Sequence, residues 1–394
     1  MKTKKFLAIC LTLCMGLCLL AGCGGDSGKD QTTPPADTGN AADTGTGSEN
    51  PYEGHTLYVA NWQGYCFDAN YCKKAFEDKF SCKVEMVYFD SYDDLMTNLQ
   101  TGGSATIDVC NLSQNYTQYF HDQDLIMAVD PAKVPNYQGV ADAYKDIAPY
   151  AVDESGNVFA YPWCFGVTSL CYNPEKTGGP ITSWSDLYKP EYAGHVCLFG
   201  DYGDGMIIGS LLSGQDPAYP DQVDVDKVAA KLAELKPQIL SFWSSYDDIL
   251  IPYKAGEFWV GNMWSGAYVQ LLKEGYPIEV VHPAEGTVGY VDYCCIVNGT
   301  DEFDLACEWL NWMESYELQY TMATSEGTGY APNEGEVYMT YPPVNDQVLN
   351  NLTEDQRTAL YLNPMPTKIC MLNYLTAEQK DSWVDTWENF KASR

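Results

Sequence analysis

From His55 to the C-terminus, apolar runs of strand length alternate with segments of helical period, and few folds accommodate that rhythm. "HTLYVANW" reads as a strand, "DANYCKKAFEDKFS" as a helix and "CKVEMVYF" as a second strand. In "SYDDLMTNLQTGG" a Ser stands at the N-cap position, acids fill the first turn and Gly closes the segment, which predicts another helix; "IDVCNL" follows as a third strand. This opening predicts an α/β fold, most simply with a parallel sheet. The β-rich run "FAYPWCFGVTSLCYN" carries Pro162 and Gly166 and is suited to take the chain out of one lobe into another. Beyond it a second α/β unit is predicted: a short helix and strand in "SWSDLYKPEYAGHVCLF", an amphipathic helix in "DVDKVAAKLAELKPQI", and the strands "EFWVGNMWS" and "IEVVHP" around the helix "GAYVQLLKEG". "VDYCCIV" is one more buried strand, "EFDLACEWLNWMESYELQYTMATSEG" one long helix and "TAEQKDSWVDTWENFKASR" a closing helix. At 394 residues the chain exceeds what one hydrophobic core supports, so two lobes with a cleft between them are expected.

Ahead of His55 the chain is different in kind. "MKTKK" is a basic leader and Phe6 to Leu20 an apolar stretch too short for a membrane span, which predicts a signal peptide over residues 1–22. "LLAGC" at its end resembles the bacterial lipobox, which implies cleavage before Cys23 and diacylation of that cysteine, two acyl chains being enough for a stable membrane anchor. Residues 23–53 are rich in Gly, Thr, Asp and Pro and predict a disordered tether.

The formal net charge of −32, from 54 acidic against 22 basic residues, argues against nucleic acid or an anionic membrane surface as the main partner and is compatible with a cationic ligand. Of the 15 cysteines, Cys10, Cys14 and Cys18 belong to the signal segment and Cys23 to the lipid site. The rest are odd in number and sit in apolar contexts such as "YPWCFG" and "VDYCCIV", which predicts buried thiols. There is no CxxC, and His55, His121, His195 and His282 stand at no metal-ligand spacing, so neither a zinc site nor any cofactor is expected.

Taken in order, "LYVANWQGY", "FAYPWCFGVTSLCYNPEK", "SWSDLYKPEYAG", "PYKAGEFWVGNMWSGAYV", "PIEVVHPAEG", "YVDYCCIV" and "GTGYAPN" resemble the spermidine/putrescine-binding proteins of ABC importers, with gaps, from about Leu57 to the C-terminus. The resemblance implies a two-lobe periplasmic-binding-protein-like fold of type II, with residues 54–164 and 291–337 in lobe 1 and residues 165–290 and 338–394 in lobe 2. It implies a monomer that encloses a polyamine in the cleft and delivers it to an ABC permease. Carried over by segment, it implies Trp62, Gln63 and Tyr65 from "NWQGY", Ser113, Asn115 and Tyr116 from "NLSQNY", and Asp201 and Asp204 from "FGDYGDG". It further implies Trp264 from "NMWSG", Tyr290 and Asp292 from "GYVD", Tyr330 from "GYAP", and Asn373 as a late polar contact. Gln63 stands where a small hydroxyl residue is usual, Asp204 where the family often has Glu, and Tyr290 in place of a Trp.

Physical chemistry agrees with such a site, because a protonated alkyl diamine offers two point charges joined by an apolar spacer and is matched by separated carboxylates with aromatic walls between them. Each residue also has a plainer role available. Trp264 sits in an apolar strand and suits a core; Asp201 and Asp204 suit a Gly-rich turn; Asp90, Asp93, Asp94, Asp247 and Asp248 suit helix caps and solvated faces. Asp292 is the least easily explained, since a carboxylate entering a buried strand is costly without a partner. Binding of thiamine, ferric ion or a sugar, and a carboxylate-based glycosidase, stay open as other readings. No P-loop, HExxH or Ser-His-Asp arrangement is present to support other enzyme chemistry.

Overall fold

The computed structural model describes residues 50–89, 91–103, 106–145, 151–327, 329–330 and 340–393; the signal segment, Cys23, most of the tether and Asp90 lie outside them. Among the described residues, eleven strands form one sheet. They are β1 (Thr56–Asn61), β2 (Lys83–Tyr88), β3 (Val109–Ser113), β4 (Ile126–Met127), β5 (Tyr161–Tyr172) and β6 (Val196–Phe199), then β7 (Ile239–Trp243), β8 (Val260–Trp264), β9 (Glu279–Val281), β10 (Thr287–Val297) and β11 (Ile369–Met371). The main order is β2-β1-β3-β10-β5-β8-β6-β7, with β4 and β11 beside β10 and β9 beside β5.

The two flanks of the sheet are parallel, as the strand–helix–strand alternation predicts: β1 pairs with β2 and β3, and β6 with β7 and β8. The centre departs from the all-parallel expectation. There β10 runs antiparallel to both β3 and β5, and β5 antiparallel to β8. The reason is topological: β5 takes the chain from one half to the other and β10 brings it back, so the two long crossing strands run in opposite senses.

The hydrophobic cores divide where these strands cross. Cys164 and Phe165 pack with Leu57, Val109 and Leu112 in the first half, whereas Val167 and Leu170 pack with Trp243, Leu198 and Met206 in the second. The change falls at Gly166. On β10 it falls at Gly289, between Val288 of the second half and Val291 of the first. The halves thus share backbone hydrogen bonds but not a core, which is the construction of a hinge on two strands. Of residues 338–394, Tyr341, Val344, Val348 and Leu352 pack into the first half, and Cys370, Leu372, Leu375, Trp383 and Trp387 into the second.

The predicted long helix is two, Phe303–Met313 and Tyr316–Thr324, because the Ser315 side chain accepts the Leu318 N–H and caps a new start. All eleven cysteines beyond the tether are unpaired thiols, and all but the half-buried Cys82 are buried.

Candidate ligand-binding cleft

Where β3, β10 and β5 meet, pairing alone aligns several candidate residues. Ser113, Asp292 and Cys164 are direct partners across the three strands. Two residues along, Tyr290 pairs with Gly166; two further, Val288 pairs with Thr168, whose other partner is Trp264 at the end of β8. Residues two apart on a strand share a face, so Ser113, Asp292, Cys164, Tyr290, Gly166 and Thr168 line one side of the sheet. Gly166 is required there. A Cβ on it would come within 2.3 Å of the Tyr290 ring, which therefore lies directly against the strand backbone.

Asp292 is 5% exposed. Its Oδ2 accepts the Tyr65 hydroxyl at 2.7 Å, and its Oδ1 has no hydrogen-bond partner among the described residues. With its proton committed to Asp292, the Tyr65 hydroxyl accepts from the Cys164 thiol at 3.4 Å. Burial pushes the Asp292 carboxyl up to about 6, against the opposing pull of the Tyr65 and Ser113 hydroxyls. Tyr65 is delivered by the turn after β1, in which Gly64 takes a positive φ of 74° and Asn61 Nδ2 donates to the Tyr65 carbonyl at 2.7 Å. Its ring stands edge-on to Trp163 at 5.1 Å and to Tyr341 at 4.9 Å.

The second acid enters from helix Tyr202–Leu212. Asp201 is exposed and serves as the N-cap, its Oδ1 accepting the Gly203 N–H at 2.7 Å and the Asp204 N–H at 3.4 Å. Asp204 Oδ2 lies 3.5 Å from Asn262 Nδ2, and the Thr168 hydroxyl also bonds to it. Burial, with the neighbouring Asp201 carboxylate, pushes Asp204 up to about 8. Cys164 and Thr168, which mark the two acids along β5, are separated by four residues, or about 13 Å of strand.

Aromatic rings line the space around the acids. Trp264 is half-buried, edge-on to Trp243 at 4.7 Å and to Phe199 at 5.2 Å and tilted on Tyr246 at 5.2 Å, so it is both a core neighbour and a wall. Trp62 packs on Phe89 at 4.6 Å and edge-on to Tyr92 at 5.3 Å. The Tyr92 hydroxyl accepts from Trp62 Nε1 at 3.4 Å and from the Ser113 backbone, with Asp292 close enough to raise its pKa. Tyr116 packs tilted at 4.4 Å on Tyr92, and its hydroxyl bonds to that of Tyr202.

The remaining candidates lie apart from this cluster or turn to other work. Gln63 is exposed in the turn after β1, and Asn115, one residue before Tyr116, is buried. The Tyr330 hydroxyl donates to Asp78 at 2.7 Å on the exposed side of helix Lys73–Phe80. The Asn373 amide donates to the Ala218 carbonyl at 2.9 Å. Sequence reasoning passed over Tyr92, Thr168, Tyr246 and Tyr341. Tyr246 had a visible signal, since Ser245 and Asp248 form a capping box that places it at the first position of helix Tyr246–Lys254. Of the acids assigned to plain roles, Asp94 pairs with the Ser91 cap and Asp248 with Ser245, as expected.

The cleft therefore presents two unlike carboxyl groups, the phenols of Tyr65, Tyr92, Tyr116, Tyr246, Tyr290 and Tyr341 and the indoles of Trp62 and Trp264, with no group of three or more metal-ligating side chains among the described residues. That chemistry suits a cation with an apolar stretch rather than a metal or an anion.

Residues 72–348 match the family of bacterial extracellular solute-binding proteins. Among curated proteins, spermidine/putrescine-binding periplasmic protein 1 of Haemophilus influenzae is 28% identical over 260 residues, covering 66% of this chain and 70% of that one. A putrescine/cadaverine-binding protein of Pseudomonas aeruginosa is 22% identical over 329 residues, covering 78% of this chain and 88% of that one. Among solved structures, the spermidine/putrescine ABC transporter substrate-binding protein of Streptococcus pneumoniae superposes with a TM-score of 0.68 at 20% identity, over 86% of this chain and 98% of that one.

Proposed function

The chain belongs to the bacterial extracellular solute-binding proteins, and from that premise we propose that it captures polyamines outside the cytoplasm for delivery to an ABC permease. The observation that carries the ligand class is Asp292, a buried carboxylate with one oxygen lacking a partner and the other held by a phenol, facing aromatic walls. A buried charge in that condition is costly until a cation reaches it. An ammonium group supplies the charge, and its methylenes supply the apolar surface that Tyr290, Tyr65 and Trp264 cover.

On this reading the lobes are residues 54–164 with 291–337 and residues 165–290 with most of 338–394, the segment Tyr341–Leu352 going with the first by its packing. The protein acts as a monomer and catalyses nothing; polyamine closes it and the permease opens it. A bound polyamine would draw in Gln63, Asn115, Tyr330 and Asn373 only by side-chain rearrangement away from their present surroundings, such as Asp78 for Tyr330 and the Ala218 carbonyl for Asn373. Lipid on Cys23 holds it at the membrane by the tether, and Cys23→Ser should abolish detergent-phase partitioning; a variant that still partitions would refute the anchor.

Calorimetry of the folded domain against putrescine, cadaverine, spermidine, thiamine, maltose and ferric citrate tests the ligand class. Micromolar or tighter binding confined to the polyamines is expected, about 8 kcal/mol or more of binding free energy. Saturable binding of thiamine or sugar with none of polyamine would overturn it.

A further inference from the structure

Beyond Asp292 the same chemistry recurs with a cation already in place. Lys380 Nζ lies 2.8 and 3.1 Å from the two oxygens of Asp93, 5.2 Å from the centre of the Tyr116 ring and 5.5 Å from that of Tyr119. A carboxylate and two phenol rings around one ammonium group are what the cleft offers a polyamine. The occupant here belongs to the protein.

This box joins the cleft through shared rings. Tyr116, one of its walls, packs tilted at 4.4 Å on Tyr92, whose hydroxyl meets Trp62 and the Ser113 backbone beside Asp292. The other edge of Tyr116 meets Tyr202, next to the Asp201 cap. The box also spans the two halves. Asp93, Tyr116 and Tyr119 come from the first; Lys380 comes from helix Ala377–Ala392, whose Trp383 and Trp387 pack in the second. Tyr119 reinforces the junction by donating to the Leu375 carbonyl and packing tilted at 4.8 Å on Tyr374.

We propose that Lys380 is a specificity-determining residue: its ammonium fills the acid-and-tyrosine box at the end of the cleft that a third ammonium of a longer polyamine would otherwise enter. The inference rests on the polyamine reading above. Two features of the cleft give it direction. Cys164, the strand partner of Asp292, and Thr168, whose hydroxyl bonds to Asp204, are four residues apart on β5, about 13 Å of strand, so the two acids are set apart on the scale of a short diamine rather than of a longer polyamine. Within the box a like charge at Lys380 repels a further ammonium, and the box carboxylate, Asp93, is already paired.

The test is calorimetric titration of wild type, Lys380→Gln and Lys380→Arg with putrescine and with spermidine. Loss of the resident charge should shift the spermidine-to-putrescine affinity ratio toward spermidine by about tenfold, the combined scale of an exposed ion pair and a cation–π contact. Lys380→Arg should keep the wild-type ratio. In Lys380→Gln with Asp93→Asn the gain should vanish, because the box no longer holds a carboxylate. Lys380→Met, which keeps the packing of the stem, replaces the Gln variant if that one fails to fold. If both ligands weaken by the same factor, Lys380 only latches the lobes and the proposal is overturned, while the function stands. If wild type and variants bind neither ligand, both readings fall.

Discussion

The two acids of the cleft are the same residue type in opposite circumstances. Asp292 lies on a strand, holds a phenol proton from Tyr65 and sits near 6, so it is ionised at neutral pH. Asp204 lies in the first turn of a helix beside the carboxylate that caps it and sits near 8, so at neutral pH it keeps its proton until a cation displaces it. The difference shows that a dication need not meet two fixed charges. One end is a standing anion, and the other becomes one on binding, which spares the ligand-free cleft the cost of a second desolvated charge.

The largest effect should come from Asp292. Asp292→Asn keeps the shape and removes the standing charge, and polyamine affinity should fall by about 2–5 kcal/mol, the cost of truncating one side of a desolvated ion pair. Calorimetry decides it, and an unchanged affinity would remove Asp292 from the site.

Trp264 should matter less and in a way that separates wall from core. Trp264→Leu should weaken binding by about 1–3 kcal/mol while shifting the denaturant midpoint little, because the ring is half-buried. A midpoint loss on the scale of a core truncation, roughly 3–5 kcal/mol, with intact affinity would assign it to the core with Trp243 and Phe199.

These residues were unequally legible in the sequence. The strands were readable because apolar alternation survives in a half-buried sheet, and Asp292 stood out because an acid interrupts such a run. The antiparallel centre was not readable, since neither β5 nor β10, each buried along nearly its whole length, states which neighbour it takes. Helix Tyr202–Leu212 was missed because it is buried almost all round and so lacks a polar stripe, which left "FGDYGDG" looking like a turn alone. Its Asp201 is indeed spent on the cap, as the plain reading of a Gly-rich turn allows. Tyr92, Thr168 and Tyr341 join the site only through tertiary contact, on elements that sequence order does not bring together. The resemblance to polyamine-binding proteins named the acids and the rings. It did not distinguish the two carboxyl environments, because those depend on burial and on the neighbour of each group rather than on residue type.

When a polyamine arrives, Asp204 should give up a proton. Ionising it is required for an ion pair, and its raised pKa means that binding releases a proton at pH values below about 8. Affinity should therefore rise with pH by up to about tenfold per unit between roughly 6 and 8, then level off while the ligand's amines stay charged. Titrating putrescine at pH 7 in two buffers of different ionisation enthalpy counts that proton directly. Wild type should release close to one proton per ligand and Asp204→Asn close to none, and a wild-type value of zero with undiminished affinity would mean that Asp204 does not ionise on binding.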